Sequence, residues 1–286
     1  MNARLLFVHA LSPLHAGTGQ GAGVIDLPVA REKATSLPYL PGSSLKGVLR
    51  DACTDDEKRR KVFGPDTDRA YEYAGSVQIS DQRLLLLPVR SLVGTFAWVT
   101  SPLILRRFLR DAENVKASDV PLDVPAPSSE ASCLVSDEDC AILLDNRVIL
   151  EDLDLAAEPS ASARAWAKWV GKHVFPDDQV WQGMLTARFC AVHDDVMGFL
   201  LDTATEVIAR VKLREDAKTV EKGGLWYEEA LPSETILAGL VVATPVRAKV
   251  NEVFNTLTDV MSKPLQLGGK ATVGRGLCYL RMTGGN

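Results

Sequence analysis

Asp26 and His15 lie in the first part of the chain, and their side chains could bind a metal or transfer a proton. Both lie in residues 12–39, where no helical or strand period is sustained. The segment is broken by Gly17, Gly19, Gly21, Gly23, Pro13, Pro28 and Pro38. A loop of this length inside a compact domain is more often functional than accidental. Its carboxylate at Asp26 could hold Mg²⁺ or orient a hydroxyl, although a lone loop aspartate also commonly forms a turn.

A second glycine-rich segment, residues 267–276, carries two cations, Lys270 and Arg275. Without Cβ atoms, the backbone can approach a phosphate closely and donate N–H groups to it. The two cations would supply charge for the same anion. A flexible turn is the alternative interpretation of this segment.

Neither segment matches a nucleotide-binding motif. Residues 17–21 follow an expected strand, as a dinucleotide loop does, but residues 24–28 are not a helix start. Gly269 and Gly274 have the spacing of a P-loop, but Arg275 and Gly276 follow where lysine and serine or threonine are needed. The sequence therefore disfavours a nucleotide-binding enzyme.

The cysteines and histidines give no metal or disulfide pattern. The five cysteines are odd in number, and no C-x-x-C pair occurs. The four histidines form no H-E-x-x-H motif. No run of about 18 apolar residues occurs, and the N-terminus turns polar too early for a secretory signal. We expect a cytoplasmic protein in a reducing compartment, with no membrane partner.

Net charge is unevenly distributed along the chain. Residues 111–158 contain 13 acids and only two basic residues, Lys116 and Arg147, a local balance of −11. The whole chain carries −5, so the remainder carries +6. A basic surface beside a separate acidic lobe is compatible with an RNA groove, and an acidic face in contact with solvent is an equally simple interpretation.

The elements that would position these residues indicate an α+β fold. Residues 4–10 are predicted to form the first strand, and residues 41–43 to open a helix with Ser43 or Ser44 as its N-cap. Lys46 and Arg50 stand four apart on one face of that helix, where both can contact one partner.

The rest of the chain gives further elements. Residues 103–112, 161–174 and 251–261 are predicted helices, and residues 76–81, 84–89, 94–100 and 277–282 are predicted strands. Residues 140–150 are a candidate strand pair, and residues 113–139 a surface insertion or loosely ordered linker. Strands at 205–213 and 235–243, joined by a charged tip, predict a projecting hairpin.

Four ordered segments carry a resemblance to a known family. They are residues 15–19 (HAGTG), 25–26 (ID), 40–50 (LPGSSLKGVLR) and 267–277 (LGGKATVGRGL). On these residues the chain resembles the RAMP superfamily of CRISPR proteins, and within it the backbone subunits of type III-B (Cmr) effector complexes. The resemblance implies one domain, 1–286, with an RRM-like (ferredoxin-like) palm. Finger-like insertions near 54–75 and 111–160 and a β-hairpin thumb near 205–243 would complete it.

The resemblance also implies partners and an activity. Subunits of this kind bind guide RNA, associate with other copies of themselves in a helical filament, and join the other Cmr complex subunits. They cleave complementary target RNA at regular intervals and require a divalent metal, Mg²⁺ or Mn²⁺. The thumb interrupts the guide–target duplex beside each cut.

Individual roles follow from the same resemblance. Asp26 matches the aspartate associated with cutting and would bind the metal, and His15 would act as an acid or an RNA contact. The implied RNA contacts are Ser43, Lys46, Arg50, Trp226, Tyr227, Gly269, Lys270 and Arg275. Glu228 and Glu229 are acids at the base of the thumb, where an aromatic pair that only packs the hairpin is equally compatible with the sequence.

Two other functions stay open from the sequence. A non-catalytic filament subunit would bind guide RNA in the same way but would not need a carboxylate at position 26. A stand-alone guide-processing ribonuclease would use His15 as a general acid and base without metal. Sensitivity of cleavage to a chelator distinguishes this metal-independent ribonuclease from the metal-dependent nuclease described above.

Overall fold

The computed structural model describes residues 2–17, 19, 21, 24–69, 71–214, 216 and 219–283. Thr18 and Gly23, which belong to the glycine-rich loop of the sequence, lie outside these residues. The described elements combine a large mixed sheet with helices, so the predicted α+β class is confirmed.

The elements have the following bounds. The strands are β1 (Ala3–Ala10), β2 (Tyr39–Leu40), β3 (Val77–Ile79), β4 (Gln82–Arg90), β5 (Phe96–Thr100), β6 (Ser132–Val135), β7 (Arg147–Leu150), β8 (Leu153–Pro159), β9 (Phe189–Val192), β10 (Glu206–Leu213), β11 (Val220–Ala230), β12 (Ile236–Ala243), β13 (Leu265–Gln266) and β14 (Leu277–Thr283). The helices are α1 (Gly42–Ala52), α2 (Asp56–Phe63), α3 (Pro102–Asn114), α4 (Ala161–Val174), α5 (Gln179–Arg188), α6 (Asp194–Thr203) and α7 (Val250–Val260).

Four antiparallel strands form the palm. Their spatial order is β14-β1-β12-β4, and the chain runs β1-α1-β4-β12-α7-β14 between them. This is a βαββαβ unit with strand order 4-1-3-2, the ferredoxin-like arrangement that the resemblance implies. Because β1 is central, its apolar residues are buried, and Phe7 packs against the rings of Phe108 and Trp169.

Helix α1 begins at Gly42, two residues before the start that an N-cap at Ser43 would give. Its N-cap is Pro41, so the predicted caps Ser43 and Ser44 are wrong. Instead, the carboxylate of Asp81, the residue before β4, accepts the backbone N–H of Gly42 at 2.8 Å. It gives this first-turn N–H the acceptor that a capping side chain next to the helix would otherwise provide. Leu45 and Leu49 are fully buried, and the burial of each stabilises the fold by about 1.5–3 kcal/mol.

The projecting hairpin is shorter than predicted. It consists of β10 and β11, which pair as a separate two-stranded sheet from Glu206↔Ala230 to Leu213↔Val220. Residues 236–243 do not belong to it, because β12 lies in the palm between β1 and β4. Its continuous apolar run is explained by this central position, where both faces are covered.

The acidic part of the chain adds strands to the palm sheet. Strands β6, β8 and β7 follow β5 and β9 in the order of the twelve-stranded sheet. Ahead of them, the backbone carbonyls of Asp123 and Ser118 accept the indole N–H groups of Trp166 and Trp169. These bonds favour a surface insertion over a loosely ordered linker for residues 113–139. The division into one domain with insertions at 54–75 and 111–160 stays a prediction.

No helix in the described ranges combines the length and the apolar composition that a bilayer crossing requires. All five cysteines are buried, and none takes part in a disulfide.

Candidate RNA-cleavage site

Asp26 lies at the base of the hairpin. Its loop runs alongside β11, where Leu27 donates its N–H to the carbonyl of Tyr227 at 3.1 Å and accepts the N–H of Glu229 at 3.0 Å. One carboxylate oxygen of Asp26, Oδ2, accepts the backbone N–H of Tyr227 at 2.8 Å. The side chain is otherwise exposed. The loop thus presents an ionisable group to solvent from a fixed backbone position.

An open cavity of about 410 Å³ brings Asp26 together with residues from two other parts of the chain. Its lining consists of Gly21, Asp26, Leu27, Gly223, Leu225, Trp226 and Lys270. Two of the predicted RNA contacts, Trp226 and Lys270, therefore share a surface with the predicted cleaving residue. An acid, a cation and an aromatic ring in one cleft can bind a nucleotide through its phosphate and its base.

Glu228 lies beside the cavity with its carboxylate paired. Lys270 Nζ and Trp226 Nε1 each donate to Oε1 at 2.7 Å, and Arg210 Nε lies 3.4 Å from Oε2. The residue is 8% exposed. Burial alone would raise the pKa of Glu228, but the hydrogen bonds from Lys270 and Trp226 and the charges of Lys270 and Arg210 outweigh it and lower the pKa. Glu228 is therefore held as an anion that neutralises two cations.

Glu229 points away from the cavity and joins three segments. Its Oε2 accepts the backbone N–H of Val29 at 2.9 Å, and its Oε1 accepts from Arg31 Nη2 at 2.6 Å and from Thr205 Oγ1 at 2.9 Å. The residue is only 3% exposed. Arg31 and Thr205 were not singled out in the sequence, because their partner lies far along the chain.

His15 does not line the cavity in the part of the chain that the structure describes. Its Nδ1 lies 2.6 Å from the carbonyl oxygen of Glu229, and since a carbonyl can only accept, Nδ1 carries the proton. Its Nε2 faces Gly17 so closely that a Cβ there would lie 2.6 Å away. The ring is 8% exposed. This geometry makes His15 a packing and hydrogen-bonding partner of the residues beneath the site. A role for His15 as an acid or an RNA contact stays a prediction.

The late glycine-rich segment packs against the same region. Gly269 donates its N–H to the carbonyl of His15 at 2.9 Å, and Gly268 has φ +70, with His15 O 2.3 Å from where a Cβ would lie. Only glycine fits there. Arg275 is tied to the hairpin, since its Nη1 donates to Glu206 Oε2 at 2.8 Å.

Helix α1 presents the remaining predicted contacts. Ser43 is exposed, and Lys46 is half-buried, with its pKa lowered by burial and by the neighbouring charge of Arg50. Arg50 already has partners: it donates to Gly64 O at 2.7 Å and to Asp66 Oδ1 at 2.6 Å. Contact of Arg50 with a phosphate stays a prediction and would require this ion pair to open.

A divalent metal at Asp26 would need ligands beyond the protein. In the described part of the chain, the single group of three metal-ligating side chains is Glu130, His193 and Asp195, which does not include Asp26. Mg²⁺ commonly binds through one or two carboxylates, with waters and substrate phosphates completing its shell. The lone exposed carboxylate of Asp26 fits an ion shared with RNA phosphates, and does not fit a site that holds the ion unaided.

Comparisons with known proteins place this geometry in a family. The model of the RAMP superfamily matches residues 7–279. The chain belongs to the RAMP superfamily. This membership confirms the resemblance drawn from residues 15–19, 25–26, 40–50 and 267–277.

Individual relatives match along nearly their whole lengths. The CRISPR system Cmr endoribonuclease Cmr4 of Pyrococcus furiosus is 38% identical over 286 residues, covering 96% of this chain and 94% of that protein. The CRISPR system CMR subunit Cmr4 of Saccharolobus solfataricus is 24% identical over 296 residues, with the same coverage. The crystal structure of oligomeric Cmr4 from Pyrococcus furiosus aligns with a TM-score of 0.75 and 31% identity, covering 99% of this chain and 100% of that one.

Proposed function

We propose that this chain is a backbone subunit of a CRISPR type III-B effector complex. It associates with further copies of itself and with the other Cmr subunits along a guide RNA, and it cleaves complementary target RNA at regular intervals. The likeness to the Cmr endoribonuclease of Pyrococcus furiosus, 38% identical over nearly the whole of both chains, supports this assignment.

The observation that carries the proposed activity is the exposed carboxylate of Asp26 in a cavity shared with Lys270. RNA is cleaved when a ribose 2′-oxygen attacks the adjacent phosphorus and the P–O5′ bond breaks, leaving a 2′,3′-cyclic phosphate and a 5′-hydroxyl. The 2′-hydroxyl must lose a proton, the leaving 5′-oxygen must gain one, and the phosphorane charge must be balanced.

Two of these three requirements have a residue in the cavity, and the leaving 5′-oxygen takes its proton from solvent water. Asp26 accepts or orients the 2′-hydroxyl proton, and its backbone tie to Tyr227 holds it in place. Lys270, which lies 2.7 Å from Glu228, faces the same space with a positive charge. A divalent ion held by Asp26 and RNA phosphates would supply further charge neutralisation and a lower pKa for the attacking group.

A reconstituted complex tests the proposal. A 5′-labelled RNA complementary to the guide is incubated with Mg²⁺ or with excess chelator. We expect fragments at a constant spacing in Mg²⁺ and none in chelator. Binding without cutting would identify a non-catalytic filament subunit, and cutting that persists in chelator would overturn the metal requirement.

A further inference from the structure

The Asp26 loop is fastened to the hairpin at several points, and most of them involve Glu229. The loop follows β11 through the backbone bonds between Leu27 and its partners Tyr227 and Glu229. Beyond these, the Glu229 carboxylate accepts the N–H of Val29 and the guanidinium of Arg31. Its backbone carbonyl accepts His15 Nδ1. One residue thus contacts the loop on both sides of the position from which Asp26 projects.

Arg31 extends this connection to a third element. Its Nη2 also donates to the carbonyl of Leu201 in α6 at 2.8 Å, and its Nη1 donates to Ser36 O at 3.1 Å. The planar guanidinium can satisfy several acceptors at fixed angles, which a lysine amine on a flexible stem cannot. The ion pair is well shielded, with side-chain exposures of 21% for Arg31 and 3% for Glu229.

These contacts leave Glu229 unsuited to touching RNA. Both carboxylate oxygens are occupied by donors from this chain, and the residue does not line the Asp26 cavity among the described residues. Its neighbour Glu228 differs, because Glu228 contacts Trp226 and Lys270, which do line the cavity. The two adjacent acids therefore lie on opposite sides of β11 with different partners.

We infer that Glu229 and Arg31 are a positioning pair, which fixes the loop so that the Asp26 carboxylate stays at the cavity without either residue contacting RNA. The inference rests on the proposed nuclease function. A displacement of about 1 Å at a reacting group can cost on the order of 100-fold in rate, so loosening this pair should slow cleavage while leaving RNA binding intact.

A double-mutant cycle separates positioning from catalysis. Arg31→Gln leaves a buried carboxylate unpaired, whereas Arg31→Gln with Glu229→Gln replaces the ion pair by two neutral groups that can still hydrogen-bond. If Glu229 only positions the loop, the double variant should cleave faster than Arg31→Gln alone. If Glu229 takes part in the chemistry, the double variant should be as inactive as Glu229→Gln.

The Glu32–Arg107 pair provides a matched control. Glu32 is the residue after Arg31, and Arg107 donates to its two carboxylate oxygens at 2.6 and 2.7 Å. The arginine is as exposed as Arg31, and the carboxylate is more exposed than that of Glu229, with 24% against 3%. This pair joins the loop to α3 and not to the hairpin. Arg107→Gln removes an ion pair of the same kind without touching Glu229. Arg31→Lys is the second variant of the tested pair, should Arg31→Gln fail to fold.

The measurement uses the assembled complex. Single-turnover cleavage rates, target-RNA Kd values and hydrogen exchange of residues 24–31 are compared for all variants, with Asp26→Asn as the inactive reference. We expect Arg31→Gln to cut about 10- to 100-fold more slowly with faster exchange and a Kd within about twofold, and the double variant to recover most of the loss. Arg107→Gln should match wild type.

Several results would overturn the inference. One is wild-type cutting and exchange in Arg31→Gln or Arg31→Lys. Another is a double variant as inactive as Asp26→Asn, and a third is an equal effect from Arg107→Gln. If wild type itself does not cut, the proposed nuclease function fails, while the exchange data still decide whether Arg31 and Glu229 hold the loop.

Discussion

Two carboxylates near the hairpin base differ in environment, and the difference assigns their roles. Asp26 is exposed and accepts one backbone N–H. Its remaining contacts are with solvent water, which a metal ion or a substrate hydroxyl can replace. Glu228 is 8% exposed and holds Lys270, Trp226 and Arg210. A buried acid with these partners organises charge, whereas the exposed one is free to react.

The lowered pKa of Glu228 predicts a pH dependence of stability. A carboxyl whose pKa is lower in the folded state contributes stability above its unfolded pKa of about 4.3, and this contribution is lost as pH falls through the folded pKa. Glu228→Gln should therefore flatten the fall in unfolding free energy between about pH 5 and pH 3.

Urea denaturation across that pH range measures the effect. Glu138→Gln, which removes one exposed carboxylate, is the matched control. An unchanged slope for Glu228→Gln, relative to wild type, would mean that the Lys270 and Trp226 contacts do not stabilise the folded anion.

The sequence identifies Asp26 but not the residues that hold it. Asp26 was found because its place in an ordered set of segments matches a family pattern. Arg31, Thr205 and Arg210 gave no such signal, since their polar side chains look like ordinary surface residues. Arg31 meets Glu229 across 198 positions of the chain, a separation that no local pattern reports.

At the scale of elements, helix α1 depends on two glycines in different ways. A Cβ at Gly42 would lie 2.3 Å from the backbone oxygen of Ile79 and 2.8 Å from Ser80. Gly47, in the same helix, is exposed with nothing within 4 Å of a Cβ. The glycine at position 42 permits the close approach of α1 to β3, whereas no packing contact requires a glycine at position 47.

Alanine at these two positions should therefore have opposite effects. Gly42→Ala forces backbone to move and should destabilise the fold by about 1–3 kcal/mol. Gly47→Ala should stabilise it by about 0.5–1 kcal/mol, because alanine has the higher helix propensity. Chemical denaturation of both variants tests the contrast, and equal effects would refute the role of the Gly42 contact.

The hairpin shows where element prediction stops. Alternation along β10 and the apolar run of β12 predict strands, and both exist. Their pairing was predicted wrongly, because two strands close in sequence are natural partners for each other. Residues 231–235 instead direct the chain back into the palm, where β12 pairs with β4 and β3 and with β1, more than two hundred residues earlier.

At the scale of the whole molecule, one sheet joins the palm to the acidic region. The 4-1-3-2 palm followed from the family resemblance, and its confirmation explains why the first and last strands are adjacent, with His9 opposite Tyr279. The extension through β9, β6, β8 and β7 has strands of only four to seven residues, and of these only β7 falls within a predicted element, the strand pair expected at 140–150. Their order in the sheet could not be predicted, since strands this short give no signal of their partners.

The central claim is that Asp26 is the cleaving residue of a target-RNA nuclease. Asp26→Asn is the direct test, because an asparagine oxygen can still accept the N–H of Tyr227 and so preserves the loop. Asp202→Asn, an exposed aspartate on α6, is the matched control. The measurement is the single-turnover cleavage of guide-complementary RNA by the assembled complex, with the target-RNA Kd measured on the same preparations.

The account predicts that Asp26→Asn lowers the cleavage rate by about 10²- to 10⁴-fold, with an unchanged Kd, while Asp202→Asn cuts at the wild-type rate. Cleavage by Asp26→Asn at the wild-type rate would contradict it.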